Sequence, residues 1–305
     1  MAQSGPDSTV VTLTVVLIAH GTVSSLDDLP AFVAEIRRGR PAPAELLQEL
    51  RHRYERVGGS PLLELTRELA EALEKRAQVP TRVAMRLWHP RIEAVISDLK
   101  PDDQVCLIPL APFSVEVYEA AARKALADML SPPSLFCVRP YGDDLVPAWA
   151  EDILRADDAP GRETRAVILT AHSLPQFVID QGDGYADAFA RAAAGVERAL
   201  GRPCRLAYQS QGAQDGAWLG PTLGETFLQV AKEGWKEVLV APIGFMAEHI
   251  ETLYDLDIEA RDQAEALGLV FSRVKTLGVH PLLVEALVGL IREAKEGIET
   301  APGVD

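Results

Sequence analysis

A histidine and a run of carboxylates are the residues whose chemistry stands out in this sequence. His172 follows the apolar run Ala166–Thr170. Four carboxylates come later in the chain at spacings of three, four and four: Glu248, Glu251, Asp255 and Glu259. If that segment is helical, all four line one face, although like charges at these spacings repel one another. Imidazole and carboxylate together suit Fe²⁺ and similar ions, so the pattern predicts a cation site, against the alternatives of a solvated acidic face and a histidine bound to a backbone carbonyl.

A second histidine and a basic segment lie in the first sixty residues. His20 follows the apolar run Thr12–Ala19 and stands in the tetrapeptide Ala-His-Gly-Thr. The segment from Arg37 to Arg56 contains six arginines and three glutamates. Its net charge is +3 (6 − 3), in a chain whose formal charge is −15. Arginine binds carboxylates in a planar, bidentate geometry. The segment therefore predicts an edge that binds a small polyanion; the alternative is an ordinary helix surface of mixed charge.

Apolar runs that alternate with amphipathic stretches indicate the elements that position these side chains. Eight runs are predicted strands: Thr12–Ala19, Thr81–Leu87, Gln104–Leu110, Leu135–Arg139, Ala166–Thr170, Arg205–Gln209, Glu237–Ile243 and Val270–Lys275. Helical stripes of leucine, tyrosine and alanine lie between them, and a closing helix is predicted to start at Pro281. The alternation predicts an α/β fold of two tandem doubly wound, Rossmann-like domains, each with a parallel four-stranded sheet.

The polar stretch 157–163 separates the first four predicted strands from the last four. We expect one domain over 9–145 with the C-terminal helix 280–298, and a second over 146–279, with a cleft between them. In such sheets ligands bind beyond the carboxyl ends of the strands. His20 and His172 each follow a strand, so they are expected to face the cleft, one from each domain.

Composition and missing motifs exclude several classes of function. A charge of −15 argues against nucleic-acid binding, because the field of the protein repels phosphate. The P-loop, the G-x-G-x-x-G loop and the G-x-S-x-G elbow are absent from the sequence. Three dispersed cysteines cannot supply the four thiolates of an all-cysteine [2Fe–2S] cluster: Cys106, Cys137 and Cys204. No apolar run approaches the ~18 residues of a membrane span, and the first nine residues do not resemble a signal peptide, so we expect a cytoplasmic protein without stable membrane insertion.

At this point the residues resemble a known family, the ferrochelatases, which insert Fe²⁺ into a porphyrin. The resemblance covers about residues 12–294 and rests on short stretches that occur together and in order. They are Ile36–Arg40, Arg53–Tyr54 with Gly58–Leu62, Met85–Pro90, Ala171–Pro175, Gly182–Tyr185, Tyr208–Gly212, Trp218–Pro221, Pro242–Phe245 and His249–Tyr254. Each stretch alone is a weak pattern, and the joint occurrence is specific.

The resemblance implies roles for individual residues. His172 matches the catalytic, metal-handling histidine and Glu251 its partner carboxylate, with Asp255 and Glu259 as an acidic row beyond them and His20 as a further candidate metal contact. Eight positions are expected to lie near the porphyrin or its propionates: His20, Arg37, Arg53, Tyr54, Ser60, His89, Ser210 and Trp218. Fe²⁺ is then a substrate, no prosthetic group is expected, and a monomer that binds a porphyrin and ferrous iron is predicted.

The sequence indicates the substrate porphyrin less specifically than it indicates the family. The Arg37–Arg40 segment and the lack of cluster cysteines look most like the soluble bacterial branch that metallates coproporphyrin III, with protoporphyrin IX as the nearest rival. That branch usually has tyrosine where this chain has His20, and sirohydrochlorin chelatases carry a histidine in a similar His-Gly-Ser motif. A sirohydrochlorin-type chelatase and a non-catalytic tetrapyrrole or heme carrier are therefore the alternatives.

Overall fold

Two parallel four-stranded sheets, both covered by helices, form the framework of the protein. The computed structural model describes residues 12–158, 165–212 and 216–299. The strands are β1 (Leu13–Ala19), β2 (Thr81–Met85), β3 (Gln104–Pro109), β4 (Ser134–Cys137), β5 (Arg165–His172), β6 (Arg205–Gln209), β7 (Glu237–Ala241) and β8 (Val270–Arg273). All eight predicted strands are thereby confirmed, and the α/β fold class with them.

Eleven α-helices and one π-helix connect the strands within the described residues. They are α1 (Leu29–Ile36), α2 (Ala44–Val57), α3 (Leu62–Ala77), α4 (Ile92–Ser97), α5 (Val115–Ala127), α6 (Val146–Asp157), α7 (Gln176–Asp180), α8 (Tyr185–Leu200), α9 (Leu223–Lys232), the π-helix (Glu251–Ala260), α10 (Arg261–Ala266) and α11 (Pro281–Glu299). Two of the predicted boundaries have a clear local cause. Pro281 opens α11, and Gly201 ends α8 in a left-handed conformation with φ of 64°.

The two sheets have the same strand order, which places equivalent loops at equivalent positions. The first is ordered β2-β1-β3-β4 and the second β6-β5-β7-β8. In both, the chain crosses from one side of the first strand to the other, so the strand order reverses beside β1 and beside β5. Ligands of doubly wound sheets bind at that reversal, outside the carboxyl ends of the strands. The loops after β1 and β5 therefore occupy the positions expected for a site.

The central strands are buried on both faces, which explains their near-continuous apolar sequences. Along β1, Val15 and Leu17 pack into the largest apolar cluster, whereas Val16 and Ile18 pack into a second cluster under α4 and α5. The largest cluster extends to the second sheet, where it includes Leu169 of β5. The two sheets are thus held against each other by a shared apolar core rather than by a narrow contact.

The C-terminal helix α11 packs against both halves of the chain. It contacts α3 of the first half and α6 of the second, and its buried leucines belong to the shared core. The predicted domains, 9–145 with 280–298 and 146–279, stay a prediction. Residues 9–11 and most of the polar stretch 157–163 lie outside the described residues. No helix in the described ranges has the length and apolarity that a bilayer crossing requires.

Truncation of a core side chain on α11 should weaken the whole fold. Leu287 is fully buried and Leu282, on the same helix, is 38% exposed. We expect Leu287→Ala to lower the free energy of unfolding by about 2–5 kcal/mol, because it removes buried methyl groups and leaves a cavity. Leu282→Ala is the matched control and should change it by about 0.5 kcal/mol or less. Urea titration followed by circular dichroism measures both; equal effects would contradict this packing.

Candidate active site

The carboxyl ends of β1 and β5 carry the two histidines that the sequence singles out. His172 is the last residue of β5 and pairs with Gln209 of β6, while His20 directly follows β1. Gly244 lets the chain after β7 pass close to β5: its amide donates to the Thr170 carbonyl at 3.0 Å, and a Cβ there would lie 2.8 Å from the Cα of Ala171. This close approach carries the following segment, up to Glu251, beside His172.

His172 and Glu251 form a hydrogen-bonded pair between the end of β5 and the start of the π-helix. The imidazole Nδ1 lies 3.1 Å from Glu251 Oε2, and each side chain is 33% exposed. A carboxylate accepts, so Nδ1 carries the proton, and when the ring is neutral Nε2 keeps the lone pair. The hydroxyl of Tyr185 donates to the backbone carbonyl of His172 at 2.9 Å and fixes the strand end beneath the ring. The pair is therefore built to hold one defined tautomer.

Charge stabilises the pair in its ionic form. Burial by itself would lower the pKa of His172, but the charge and hydrogen bond of Glu251, with Asp255 behind it, outweigh burial and raise that pKa above 6.5. Burial would raise the pKa of Glu251, yet His172 and His249 hold it well below the ordinary value. His249 Nε2 lies 3.6 Å from Glu251 Oε2. Glu251 is thus an anion that two imidazoles face.

Beyond this pair, Asp255 and Glu259 extend an acidic row along the π-helix, as predicted. Asp255 accepts a hydrogen bond from the Ser210 hydroxyl, and its other oxygen lies 2.9 Å from Arg53 Nη1. Arg53 Nη2 lies 3.3 Å from Glu259 and 2.6 Å from Glu49. The guanidinium of Arg53 also lies over the ring of Tyr254, 4.8 Å from its centre. Arg53, expected near the porphyrin, is here bonded to carboxylates on three sides.

Asp255 differs from Glu251 in its titration. Burial raises the pKa of Asp255 to about 6; the Ser210 hydrogen bond and Arg53 oppose this, whereas the charges of Glu251 and Glu259 add to it. A carboxyl group with this pKa can take up and release a proton near neutral pH. The row therefore combines a permanent anion beside the histidine with a proton-exchanging group one turn further along.

The prediction that Glu248 shares the face of the other carboxylates is wrong. Glu248 precedes the first helical turn, and its carboxylate binds Arg273 Nη1 at 2.8 Å, the amide of Thr276 at 3.0 Å and the hydroxyl of Thr252 at 2.6 Å. These contacts point it away from the row, because a buried carboxylate is stabilised where donors are present. The helix also has i→i+5 hydrogen bonds, a geometry that is rare and frequent at functional sites.

His20 faces the same region from the first half of the chain and is neutral. Burial, together with the positive charge of Arg86, lowers its pKa to about 4. Arg86 Nη2 lies 3.4 Å from His20 Nδ1, and its guanidinium lies 5.5 Å from the centre of the Tyr118 ring. Because Arg86 can only donate, this contact makes Nδ1 the acceptor and places the ring proton on Nε2. Gly21, with φ of 118°, then lets the chain turn against Trp88.

Three of the other predicted porphyrin contacts have buried polar atoms. Two carry a buried polar atom without a hydrogen-bond partner in the described structure: Ser60 Oγ and Arg37 Nε. A buried donor without an acceptor costs free energy, so these atoms fit a ligand that supplies an acceptor. Tyr54 is buried in the small cluster under α1, with its hydroxyl 3.2 Å from Thr22 Oγ1.

His89 and Trp218 are the remaining predicted porphyrin contacts. His89 is exposed, with its ring centre 5.3 Å from that of Trp88. Trp218 is half-buried in the segment that pairs with the chain after β5, where its backbone forms an isolated bridge with Pro175. Both lie in loops beyond the strands.

The five residues expected to handle metal do not form one chelating cluster. Within the described ranges, no three histidine, cysteine, aspartate or glutamate side chains are arranged to hold an ion together. His172 pairs with Glu251, whereas Asp255 and Glu259 share Arg53, and His20 is bound to Arg86.

Sequence reasoning missed three residues that shape the site. Arg86 has a buried Nε without a partner in the described structure, His249 is the second imidazole on Glu251, and Arg273 binds the carboxylate behind the row. Arg86 and His249 stand inside stretches that carry the family resemblance, so the signal was present. Arg273 ends an ordinary edge strand, and nothing in its local sequence marks it.

Comparison with known proteins agrees with the geometry. A family model described as ferrochelatase matches residues 12–295. A ferrochelatase from Acidobacterium capsulatum is 31% identical, covering 94% of this chain and 96% of that protein. A coproporphyrin III ferrochelatase from Geobacillus kaustophilus is 33% identical, covering 92% of this chain and 96% of that protein.

Among solved structures, the fold is similar to two chelatases. SirB from Bacillus subtilis with Fe³⁺ has a TM-score of 0.56 at 15% identity and covers 97% of this chain and 100% of its own. CbiX, described as the terminal enzyme of siroheme biosynthesis in denitrifying bacteria, has a TM-score of 0.51 at 14% identity, covering 92% and 99%. At such identities the likeness concerns the fold alone, two Rossmann-like halves with parallel sheets.

Removing the charge of Glu251 should lower the pKa of His172. In Glu251→Gln the attraction and the charged hydrogen bond are lost while burial stays, so the pKa should fall from above 6.5 to below it. A proton NMR titration of the His172 ring, assigned by comparison with His172→Ala, measures this. Glu285→Gln, which removes an exposed partner of Arg76, is the control and should leave the His172 pKa unchanged. An unchanged pKa in Glu251→Gln would contradict the pairing.

Proposed function

The chain belongs to the ferrochelatase family, whose members are enzymes that insert a metal ion into a porphyrin, and we propose that it inserts ferrous iron into coproporphyrin III. Protoporphyrin IX is the next candidate. The observation that carries the proposal is the His172–Glu251 pair, 3.1 Å apart at the carboxyl end of β5, with Asp255 and Glu259 leading away from it.

Metal insertion requires a base, and His172 fits this role. Two pyrrole protons must leave the porphyrin as the cation enters, and the cation must exchange its water for nitrogen. With Nδ1 bonded to Glu251, His172 Nε2 has the lone pair that accepts a proton or binds the cation. Protonation of His172 removes that lone pair, so activity is expected to fall as pH drops below its raised pKa.

The acidic row supplies a route for charge. Glu251 is anionic and attracts a divalent cation, whereas Asp255, with a pKa of about 6, can pass a proton outward near neutral pH. A carrier of tetrapyrrole or heme needs no such row, which disfavours the non-catalytic alternative.

Two residues from the first half of the chain fit the carboxylates of the substrate. Ser60 Oγ and Arg37 Nε are buried donors without partners in the described structure, and Arg37 opens an arginine-rich segment. Coproporphyrin III carries four propionates and protoporphyrin IX two, so a donor-rich edge favours the former. Binding there can drive distortion of the ring at the reacting nitrogens. The relative from Geobacillus kaustophilus, described as a coproporphyrin III ferrochelatase, supports the same choice.

A sirohydrochlorin-type chelatase is the second candidate, favoured by His20 alone. The hydrogen bond from Arg86 places the His20 proton on Nε2, so this ring does not offer the free lone pair that a metal contact needs while Arg86 holds it. We further propose that the chain has no [2Fe–2S] cluster. Its cysteines are three, and burial raises the pKa of Cys106 to about 12, far from the thiolate that binds iron.

An anaerobic metallation assay tests the substrate. Purified protein is mixed with Fe²⁺ and, separately, coproporphyrin III, protoporphyrin IX or sirohydrochlorin, and the Soret and visible bands are followed. We expect the largest kcat/KM with coproporphyrin III. A preference for sirohydrochlorin would replace the proposal by the second candidate, and no catalysed change with any of the three would leave the carrier.

The role of His172 is tested separately. We expect His172→Ala to lower kcat by about 100-fold or more, the scale of a lost general base, with the porphyrin Kd nearly unchanged. Fluorescence quenching of the porphyrin measures the Kd. His280→Gln, at the start of α11 and away from the site, is the control. An equal loss of turnover and porphyrin binding would mean that His172 acts in binding and not in the chemistry.

A further inference from the structure

Arg273, at the end of β8, binds two carboxylates that the proposed mechanism does not use. Its Nε and Nη2 donate to the two oxygens of Asp257 at 2.7 and 2.6 Å, and its Nη1 donates to Glu248 at 2.8 Å. The side chain of Arg273 is 6% exposed, and the side chains of Glu248 and Asp257 are 14% and 32% exposed. A fork of this kind fixes both partners in direction as well as in distance.

The two carboxylates tie separate parts of one helix to the sheet. Glu248 precedes the π-helix and accepts a hydrogen bond from Thr252 in its first turn, whereas Asp257 lies in its second half. Arg273 therefore holds the first turn, through Glu248 and Thr252, and the second half, through Asp257, at one point of β8.

This double attachment depends on the π-helical register. Thr252 and Asp257 are five residues apart, and five residues place them about 140° apart around an α-helix of 3.6 residues per turn. With about 4.4 residues per turn, which i→i+5 bonding gives, the same two residues lie only about 50° apart. One guanidinium can therefore hold Asp257 directly and Thr252 through Glu248 when the helix is a π-helix, but not when it is an α-helix. Arg273 thus favours the π-helix over the ordinary α-helix.

The register matters for the opposite face of the helix. Asp255, two residues from Asp257, points away from Arg273 and toward Ser210 and Arg53. A change from π-helix to α-helix would rotate Asp255 relative to Glu251 by about 70°. Asp255 would move from one side of Glu251 to the other around the helix axis and would lose its present direction toward Ser210 and Arg53.

We propose that Arg273 is a positioning residue for metal insertion, which holds Glu248 and Asp257 together behind the π-helix and so fixes the rotation that presents Glu251 and Asp255 to the cation. The inference rests on the proposed function for its effect on activity, but the effect on the helix is independent of it. The residues expected to bind the porphyrin through buried donors, Arg37 and Ser60, belong to other elements and should be unaffected.

Two variants test the contact at different costs to the fold. Asp257→Asn keeps the size of a partly exposed side chain and removes the charge that the fork binds. Arg273→Lys keeps the charge but cannot bind two carboxylates through three separate nitrogens. If Arg273→Lys fails to fold, Asp257→Asn alone decides. Arg205→Lys, which changes an exposed arginine paired with Glu233 in the same sheet, is the matched control.

The first measurement is amide hydrogen exchange of the protein without substrates. We expect exchange in residues 250–260 to become at least ten-fold faster in Asp257→Asn and Arg273→Lys, with α8 unchanged as an internal reference and no effect of Arg205→Lys. Unchanged exchange in residues 250–260 would overturn the proposal whatever happens to activity.

The second measurement separates positioning from general destabilisation. With Fe²⁺ and the porphyrin that the unaltered protein metallates, we expect kcat/KM for the metal to fall 10–100-fold, the scale seen when a partner behind a metal-binding residue is lost. The porphyrin Kd should change less than two-fold. Activity within two-fold of the unaltered protein would overturn the positioning role. If the unaltered protein metallates no porphyrin, the proposed function fails, and the exchange result still decides whether Arg273 holds the helix.

Discussion

Mutual repulsion among carboxylates on and next to one helix is the constraint around which this structure is organised. Glu248, Glu251, Asp255, Asp257 and Glu259 fall within twelve residues, and like charges so close destabilise a helix unless cations oppose them. The fold supplies three separate cations for this purpose. Arg273 binds the pair behind the helix, Arg53 binds the outer part of the row, and His172 faces Glu251.

The three cations differ in whether they can lose a proton. Two arginine contacts are permanent charges, because guanidinium does not deprotonate in proteins. His172 is the exception: it can lose its proton, and it lies where the proposed reaction needs a base. Asp255 is opposed by Arg53 but crowded by Glu251 and Glu259, so its pKa rises to about 6. The same helix therefore carries fixed anions, a proton-exchanging carboxyl and, across from them, a titratable imidazole.

Much of the architecture follows from the sequence alone. Eight apolar strands, the caps at Pro281 and Gly201, and the positions of His20 and His172 at the ends of their strands were all predictable, because parallel strands buried on both faces and helix ends have strong local signatures. The pairing of His172 with Glu251 was predicted as well, through the resemblance to ferrochelatases, and the structure brings the two within 3.1 Å.

What the sequence could not determine depends on partners distant along the chain. Spacing placed Glu248 on the acidic face, but a donor set from β8 and its following loop, Arg273 and Thr276, turns it to the other side. The resemblance predicts that Arg53 lies near the porphyrin or its propionates. Only the docking of α2 against the π-helix shows that it is bound to Asp255 and Glu259. Periodicity likewise predicts a helix without its hydrogen-bond register. The sequence determined which groups are available, and tertiary contacts decided which of them pair with one another, because the direction of a charged side chain is set by the nearest opposite charge.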